Sequence, residues 1–280
     1  MKSHLEWHPI GDEPAFVGIE RYGDGARAVC IVHGFLAWHR WGFYPWLAQW
    51  FVEQGYAASV LALPSSGYGP DGFSLERFAR ATISTDLQAL RYATGVIKTQ
   101  SRCIAGLGHS RGGLLLMLAH TKFDCLALWA PPRTLGRWGA HQQQLWRDHG
   151  SLPCGTHPES GQSLYLNHRY LDDLEQHRYN EQLDRALEHC TVPTLIVAAE
   201  QDMVAPVSGA EQLLARLQHT RSQLYVVSAT GHTFGIQHPQ TQPTSALHDA
   251  MIQTQVWFDG CCPLDSNFAA AGSSSSDSPR

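Results

Sequence analysis

The 280-residue sequence has no apolar run of about 18 residues, the length that a membrane-spanning helix needs. Its start, MKSHLEWHPIGDEP, lacks the apolar core of a signal peptide. Lysine is scarce and the formal net charge is −5, so there is no basic stripe to bind nucleic acid. We therefore predict a protein with no membrane span and no nucleic-acid partner. These features do not determine its oligomeric state.

Cysteine is infrequent and odd in number, with seven residues. Cys30, Cys103 and Cys125 fall inside apolar runs, which predicts buried free thiols and a reducing, cytoplasmic location. The adjacent Cys261 and Cys262 near the end suggest no function. The histidines show no metal-binding spacing such as His-Glu-x-x-His, so no metal site is predicted.

The sequence contains short apolar runs that alternate with helical patterns. The runs are rich in β-branched residues and lack polar alternation, as in a parallel sheet covered on both faces. They predict an α/β protein with a doubly wound, mostly parallel sheet, and residues 16–23 predict an antiparallel hairpin with the first residues. The predicted strands are 28–32, 58–63, 103–108, 125–130, 194–199 and 224–229, and the helices are 41–55, Ser74 to near Gly95, 112–120, 207–218 and 245–258.

A stretch of about residues 131–193 interrupts this alternation before the last two strands. It begins with two prolines and is longer than a simple crossover requires. We interpret it as a small helical cap over the carboxyl edge of the sheet; an ordinary crossover with a long surface loop is the alternative. Residues 1–268 then form one domain, and residues 269–280 are predicted to be disordered because they have no apolar anchor.

The pattern Gly108-His109-Ser110-Arg111-Gly112 places a serine between two glycines. The pattern alone is a weak signal, because glycine and serine are common here. Its context is more specific, since a predicted strand precedes Ser110 and an apolar helix follows it. That context predicts a nucleophile elbow, a strained turn that exposes a serine at the carboxyl edge of a sheet.

A serine hydroxyl needs a base and an orienting acid. His232 follows the last predicted strand and is our candidate base, whereas His238 is interpreted as structural. The loop after strand 194–199 offers Glu200 and Asp202, and we favour Asp202 because it lies farther out in the loop. The chain order Ser110, Asp202, His232 is the order of an α/β-hydrolase triad.

Two backbone N–H groups can serve an oxyanion. The N–H of Arg111 follows the nucleophile, and the N–H of Phe35 lies in the turn after the first predicted parallel strand. Gly34 permits this turn to approach the serine. We expect His33 to hold the turn by hydrogen bonding rather than to act as an acid or base.

From about residue 15 to residue 260 the sequence resembles the α/β-hydrolase superfamily, and most of all the bacterial dienelactone-hydrolase-like or acyl-esterase-like serine hydrolases. The stretches that carry the resemblance are IVHGF, GHSRGG, VPTLIVAAEQDMVAP and ATGHTFGIQHP. The resemblance implies a Ser-Asp-His triad and no cofactor. It also implies oxyanion donors at Phe35 and Arg111.

The sequence departs from this family in two respects. Relatives usually carry an aspartate in the loop after the second parallel strand, where this chain has LALPSSGYGPDG with Pro64 near that place. The loop borders the site, so the departure affects substrate choice rather than chemistry. Dienelactone hydrolases themselves use a cysteine nucleophile, so Ser110 does not imply their activity.

Aromatic residues suggest the walls of the substrate pocket. Trp38 follows the oxyanion turn, and Trp138 and Trp146 lie in the predicted cap. The side chain of Arg111 is expected at the surface or against the cap rather than on a substrate carboxylate. An apolar but short pocket would accept uncharged short- to medium-chain acyl esters over long-chain lipids.

The predicted function is hydrolysis of small carboxylic esters through an acyl-enzyme on Ser110, with a small-molecule acyl substrate. The same triad could instead serve a peptidase, a thioesterase or an acyltransferase. A noncatalytic binding protein on the same fold is a further alternative.

Overall fold

A computed structural model describes residues 2–11, 15–136, 138–239 and 242–263. The predicted disordered tail lies outside these ranges. Within them, no helix combines the length and apolar character needed to cross a membrane. The strands are β1 His4–Ile10, β2 Ala15–Tyr22, β3 Arg27–Val32, β4 Ala57–Ala62, β5 Tyr68–Gly69, β6 Gly72–Phe73, β7 Cys103–His109, β8 Cys125–Trp129, β9 Ser151–Thr156, β10 Ser163–Asn167, β11 Thr194–Ala199 and β12 Gln223–Val227.

Helices alternate with these strands. Three of them (α5 to α7) lie between β8 and β11, where they and the β9–β10 hairpin form the predicted cap. Two short 3-10 turns cover residues 64–66 and 120–122. The helices are α1 Tyr44–Glu53, α2 Leu75–Ala79, α3 Ile83–Lys98, α4 Arg111–Leu118, α5 Ala140–His149, α6 Arg169–Gln176, α7 Tyr179–His189, α8 Val207–Arg216 and α9 Ser245–Cys261.

Eight strands form one sheet in the order β1-β2-β4-β3-β7-β8-β11-β12. The strands from β4 to β12 in this order are parallel, and β1 and β2 add an antiparallel hairpin at one edge. One apolar cluster packs α3, α4, α7 and α8 against one face, and a second packs α1 and α9 against the other. This confirms the doubly wound α/β fold, including the cap before the last two strands.

The helix predicted from Ser74 to near Gly95 is interrupted. Ser74 caps α2 as expected, by accepting a hydrogen bond from the Arg77 N–H, but α2 ends at Ala79. Thr82 then begins α3 with a reciprocal capping box with Thr85. A second capping residue therefore divides what the apolar pattern presents as one helix.

One of the predicted free thiols is wrong. Cys103 forms a disulfide with Cys262, which links the start of β7 to the end of α9. Sequence spacing gave no sign of this pair, because it joins residues 159 positions apart. Cys30 and Cys125 are buried and free, as predicted.

The turn between β7 and α4 brings Ser110 to the carboxyl edge of the sheet. Ser110 has φ 54° and ψ −125°, a conformation that L-residues rarely adopt. The turn is tight because two glycines leave room for backbone. A Cβ at Gly112 would lie 2.5 Å from the Val32 carbonyl oxygen, and one at Gly108 would lie 2.6 Å from the carbonyl carbon of Gly112.

Two glycine substitutions test this constraint. Gly112→Ala should lower the free energy of unfolding by about 1–3 kcal/mol or more, because backbone atoms must move to admit the methyl group. Gly95→Ala should raise it by about 0.5–1 kcal/mol, since Gly95 is exposed in α3 with nothing within 4 Å of an added Cβ. Urea unfolding followed by circular dichroism measures both. A Gly112→Ala protein as stable as wild type would show that the elbow can open without strain.

Candidate active site

Three of the predicted site residues meet at the carboxyl edge of the sheet. The Ser110 Oγ atom lies 3.0 Å from His232 Nε2, and His232 Nδ1 lies 2.7 Å from Asp202 Oδ2. Because the carboxylate can only accept, Nδ1 carries the proton and Nε2 is free to accept from the serine hydroxyl. The arrangement can draw a proton from Ser110 when its oxygen attacks an electrophile.

The carboxylate of Asp202 is buried and fully hydrogen-bonded. Its other oxygen, Oδ1, accepts from the N–H groups of Val204 at 2.7 Å and Ala205 at 2.8 Å. Burial alone would raise the pKa of Asp202, but these bonds and the one from His232 outweigh burial and hold the pKa below its usual value. Asp202 is therefore held as the anion that a neighbouring imidazolium needs.

The alternative residues in the same loops have other partners. Glu200 Oε2 accepts a hydrogen bond of 2.7 Å from the Ala229 N–H and makes none with His232. His238 Nδ1 accepts a hydrogen bond of 3.1 Å from the Gly42 N–H. Both contacts hold loop backbone in place, which is the structural part that we expected of His238.

The predicted oxyanion donors lie beside the serine. Within the described residues, neither the Phe35 N–H nor the Arg111 N–H has an acceptor. The oxyanion turn approaches the elbow so closely that a Cβ on Gly34 would lie 3.1 Å from the Cβ of Ser110. Leu36 completes the turn with φ 63°. Two unpaired N–H groups next to the serine can stabilise a negative oxygen.

A buried polar network joins the loops of the site. The Gly34 N–H donates to the Tyr44 hydroxyl at 3.0 Å, and that hydroxyl lies 3.5 Å from His109 Nδ1. The other nitrogen of His109, Nε2, donates to the carbonyl oxygen of His232 at 2.9 Å. The network therefore connects the oxyanion turn, the elbow and the histidine loop.

His33 holds the oxyanion turn, as predicted. Its Nε2 atom accepts from the Leu63 N–H at 3.1 Å, so Nδ1 carries the proton and donates to the Gly34 carbonyl at 2.8 Å. His109 was not among the predicted site residues, although it lies inside the serine motif. Tyr44 has no local signal in the sequence, because its partners come from two distant turns.

Two cavities include Ser110 in their lining. The cap cavity, of about 230 Å³, lies under the cap, and the hairpin cavity, of about 290 Å³, lies beside the β9–β10 hairpin. Larger cavities of about 330 and 390 Å³ lie elsewhere and include none of Ser110, Asp202 and His232. We therefore locate the site by these hydrogen-bonded residues and not by cavity volume. Both cavities are lined by Phe35, Leu36, Ser110 and His232, to which the cap cavity adds Arg111, Pro132, Thr134, Leu135, Trp138, Tyr170 and Val204, and the hairpin cavity adds Ala37, Trp41, His109, Thr156, Pro158 and Thr233.

Of the three predicted pocket tryptophans, the structure places only Trp138 on a cavity wall. Trp38 is 4% exposed, and its ring stacks against Tyr68 and against His157 of the cap hairpin. The ring is therefore covered and lines neither cavity. Trp146 is fully buried behind Trp138, with a ring-centroid distance of 5.0 Å. Trp146 supports the wall and does not form it.

The side chain of Arg111 is not at the surface. It is 5% exposed, pairs with the buried carboxylate of Asp86 at 3.0 Å and interacts with Tyr170 of the cap. The predicted contact with the cap is present, but the predicted surface position is wrong. Asp86 on α3 attracts the guanidinium inward, and the sequence pattern could not reveal this partner.

A protein family and several solved structures are similar to this chain. The chain matches the model of the prolyl oligopeptidase family over residues 41–253, which is more than half of its length. None of the curated proteins matches it.

Solved structures share the fold at low sequence identity. Est1E from Butyrivibrio proteoclasticus, with ferulic acid bound, has a TM-score of 0.67 at 15% identity, covering 91% of this chain and 98% of that one. A monoacylglycerol lipase from Paleococcus ferrophilus has a TM-score of 0.69 at 12% identity, covering 93% and 99%. Mouse alpha/beta hydrolase domain-containing protein 10 has a TM-score of 0.68 at 13% identity, covering 92% and 99%. These likenesses concern the fold.

The doubly wound sheet and the strained serine, with acid and histidine loops after later strands, define an α/β-hydrolase fold. The resemblance to that superfamily is thereby confirmed, and the protein is a serine hydrolase. It belongs to the prolyl oligopeptidase family. Its place in the dienelactone-hydrolase-like or acyl-esterase-like branch stays a prediction.

Paired substitutions distinguish the two acids. Asp202→Asn should lower kcat by about 10⁴-fold with the fold retained, because the amide cannot stabilise an imidazolium. Glu200→Gln, the matched control, should leave kcat within about threefold, since the hydrogen-bond partner of Glu200 among the described residues is the Ala229 backbone and not His232. Steady-state kinetics on an activated ester measures both. The reverse ranking would assign the acid to Glu200.

Acid should destabilise the folded protein, because two of its histidines are buried in the neutral form. Burial lowers the pKa of His33 and of His109 to about 3. Between about pH 6.5 and 3, each of these histidines therefore binds a proton in the unfolded chain but not in the folded chain. The free energy of unfolding then decreases by about 1.4 kcal/mol for each pH unit of acidification and each histidine. His109→Gln should be less stable than wild type at pH 7, and this difference should shrink by about 2 kcal/mol at pH 5.

Urea unfolding at both pH values checks this, with the exposed His4→Gln as control for the loss of a histidine. A stability difference that stays constant from pH 7 to pH 5 would mean that folding does not lower the pKa of His109.

Proposed function

We propose that this serine hydrolase cleaves carboxylic esters of small to medium acyl groups through an acyl-enzyme on Ser110. The hydrogen-bonded series from Ser110 through His232 to Asp202 carries the proposal. It supplies a nucleophile, a base and an orienting acid in one place, with the unpaired N–H groups of Phe35 and Arg111 beside them.

The reaction begins when Ser110 Oγ attacks the ester carbonyl carbon and His232 Nε2 takes the hydroxyl proton. Asp202 stabilises the resulting imidazolium, and the two N–H groups stabilise the oxyanion. The tetrahedral intermediate collapses as His232 returns the proton to the departing alcohol. A water molecule, deprotonated by His232 Nε2, then attacks the acyl-enzyme, and His232 returns the proton to Ser110 Oγ as the acid leaves.

The dimensions of the site support a small substrate. The cap cavity and the hairpin cavity are both below the range of about 300–1,000 Å³ that is common for drug-sized ligands. We assign the acyl group to the cap cavity, whose wall includes Leu135, Trp138 and Val204, and the alcohol to the hairpin cavity. A small carboxylic acid, ferulic acid, is also what the structure of Est1E holds.

A peptidase is the second candidate, and the match to the prolyl oligopeptidase family favours it. The amine of an amide substrate leaves only when His232 is aligned to protonate its nitrogen. Amides should therefore react more slowly than esters at this site. Thioesterase, acyltransferase and noncatalytic binding roles rest on no separate observation. The cytoplasmic location also stays a prediction, and the disulfide at Cys103 removes one of the three thiols on which it rested.

Labelling and kinetics test the function together. Wild type should react with a fluorophosphonate probe at Ser110, and Ser110→Ala should take no label. The same substitution should lower kcat on p-nitrophenyl butyrate by about 10⁴- to 10⁶-fold. Ser208→Ala, an exposed serine on α8, is the control and should behave as wild type. Mass spectrometry of the digested protein locates the label.

The same preparation is then assayed on matched ester, thioester and amide substrates with one acyl group. Faster cleavage of the amide than of the ester would replace the esterase proposal with a peptidase. An unlabelled wild type with no turnover of any substrate would support the noncatalytic alternative.

A further inference from the structure

Four cysteines lie together where the end of α9 meets the starts of two neighbouring strands. Cys103 begins β7 and Cys125 begins β8, and these two strands pair in parallel. Cys261 is the last residue of α9 and Cys262 follows it, and all four side chains pack in the apolar cluster between α9 and the sheet. Because Cys262 is bonded to Cys103, Cys125 and Cys261 are a pair of free thiols beside that disulfide.

The two free thiols contact each other but differ in exposure. A hydrogen bond joins the side chains of Cys125 and Cys261. Cys125 is fully buried, whereas Cys261 is half-buried, so solvent reaches only Cys261 of this pair. A bond between the two sulfurs would join the end of α9 to β8, next to the existing bond that joins it to β7.

A cation lies against the more exposed thiol. Arg221 Nη2 lies 3.5 Å from Cys261 Sγ and donates to the Gly260 carbonyl at 3.1 Å. Its guanidinium carbon lies 5.8 Å from the ring centre of Trp257, one turn earlier in α9. The side chain of Arg221 is therefore held at the end of this helix by three neighbouring groups.

The surroundings give the two thiols different protonation states. Burial and the carboxyl end of α9 both disfavour a thiolate at Cys261. The hydrogen bond with Cys125 and the charge of Arg221 act in the opposite direction, and they hold the pKa of Cys261 below its usual value. The same hydrogen bond and burial raise the pKa of Cys125. An accessible thiolate thus lies next to a protonated thiol, the arrangement in which a first cysteine is oxidised and a second one resolves it.

We propose that Cys261 and Cys125 form a peroxide-reactive dithiol site, in which Cys261 is oxidised first and Cys125 then closes a disulfide with it. This site lies at the edge of the sheet opposite to Ser110, and it goes beyond the proposed esterase function.

The reaction has two balanced steps. The thiolate of Cys261 bonds to one peroxide oxygen, the O–O bond breaks, and the hydroxide that leaves becomes water with a proton from solvent. The sulfur of Cys125 then bonds to the sulfur of this sulfenic acid, and the S–O bond breaks. The hydroxyl group leaves as water with the proton of Cys125. Two thiols are thereby oxidised to one disulfide, and one peroxide is reduced to two water molecules.

Peptide mapping of the full-length protein tests the disulfide. Trypsin places Cys103, Cys125 and the adjacent Cys261 and Cys262 in separate peptides, which are 103–111, 123–133 and 222–280. Without peroxide, blocking of free thiols with iodoacetamide in denaturant should leave 103–111 linked to 222–280 and 123–133 alkylated. After treatment with hydrogen peroxide, one species should contain all three peptides.

Matched variants identify the sulfurs that react. Cys261→Ser should form no three-peptide species, and Cys125→Ser should stop at a sulfenic acid on Cys261 that dimedone labels. Cys154→Ser is the control, because Cys154 is also half-buried but burial raises its pKa to about 11. This variant should form the three-peptide species as wild type does.

Alkylation of the native protein tests which thiol is reactive. In timed exposure to iodoacetamide at pH 7, Cys261 should react about tenfold or more faster than Cys154, because the thiolate is the nucleophile. Arg221→Gln should slow the alkylation of Cys261 by about threefold or more, since loss of the cation raises the thiol pKa, and should leave Cys154 unchanged. Arg221→Lys keeps the charge and should retain most of the wild-type rate.

Any of three results would overturn the inference: a wild type that forms no three-peptide species with peroxide, a Cys261→Ser protein that still forms it, or a Cys261 that is alkylated no faster than Cys154. None of these measurements uses an ester, so they are independent of whether the proposed esterase function holds.

Discussion

The strained conformation of Ser110 is the constraint on which the rest of the site depends. A positive φ at a serine is unfavourable, and here it is held by a hydrogen bond from its N–H to the Trp129 carbonyl at 2.7 Å and by the start of α4. The turn can be this tight only because Gly108 and Gly112 leave space for backbone. As a result, the Ser110 hydroxyl projects from the edge of the sheet. The N–H of Arg111 has no backbone acceptor because Arg111 is the first residue of α4.

The loops around the serine are positioned by buried polar contacts. Each buried donor and acceptor in the group of His33, Tyr44 and His109 has a partner, and those partners lie in three separate loops. Because an unpaired buried polar group is unfavourable, each bond restrains the position of the loop it reaches.

Chemistry and specificity come from different parts of the molecule. The sheet edge and its loops bring Ser110, Asp202 and His232 together, whereas residues of the cap line much of the cap cavity. Trp138 lines this cavity because Trp146 and Tyr170 pack behind and beside it. A change in the cap can therefore alter the substrate without moving the hydrogen-bonded residues, as expected where function is built on a shared fold.

The sequence by itself determined the strands of the parallel sheet, the elbow and the three residues at its edge. Apolar runs specify buried strands, and residues just after parallel strands gather at one edge wherever the chain folds that way. Only the tertiary structure decided the Cys103–Cys262 disulfide, the burial of Arg111 against Asp86 and the covered position of Trp38. Each of these depends on a partner far away in the chain, and local pattern carries no information about which distant side chain will pack against a given residue.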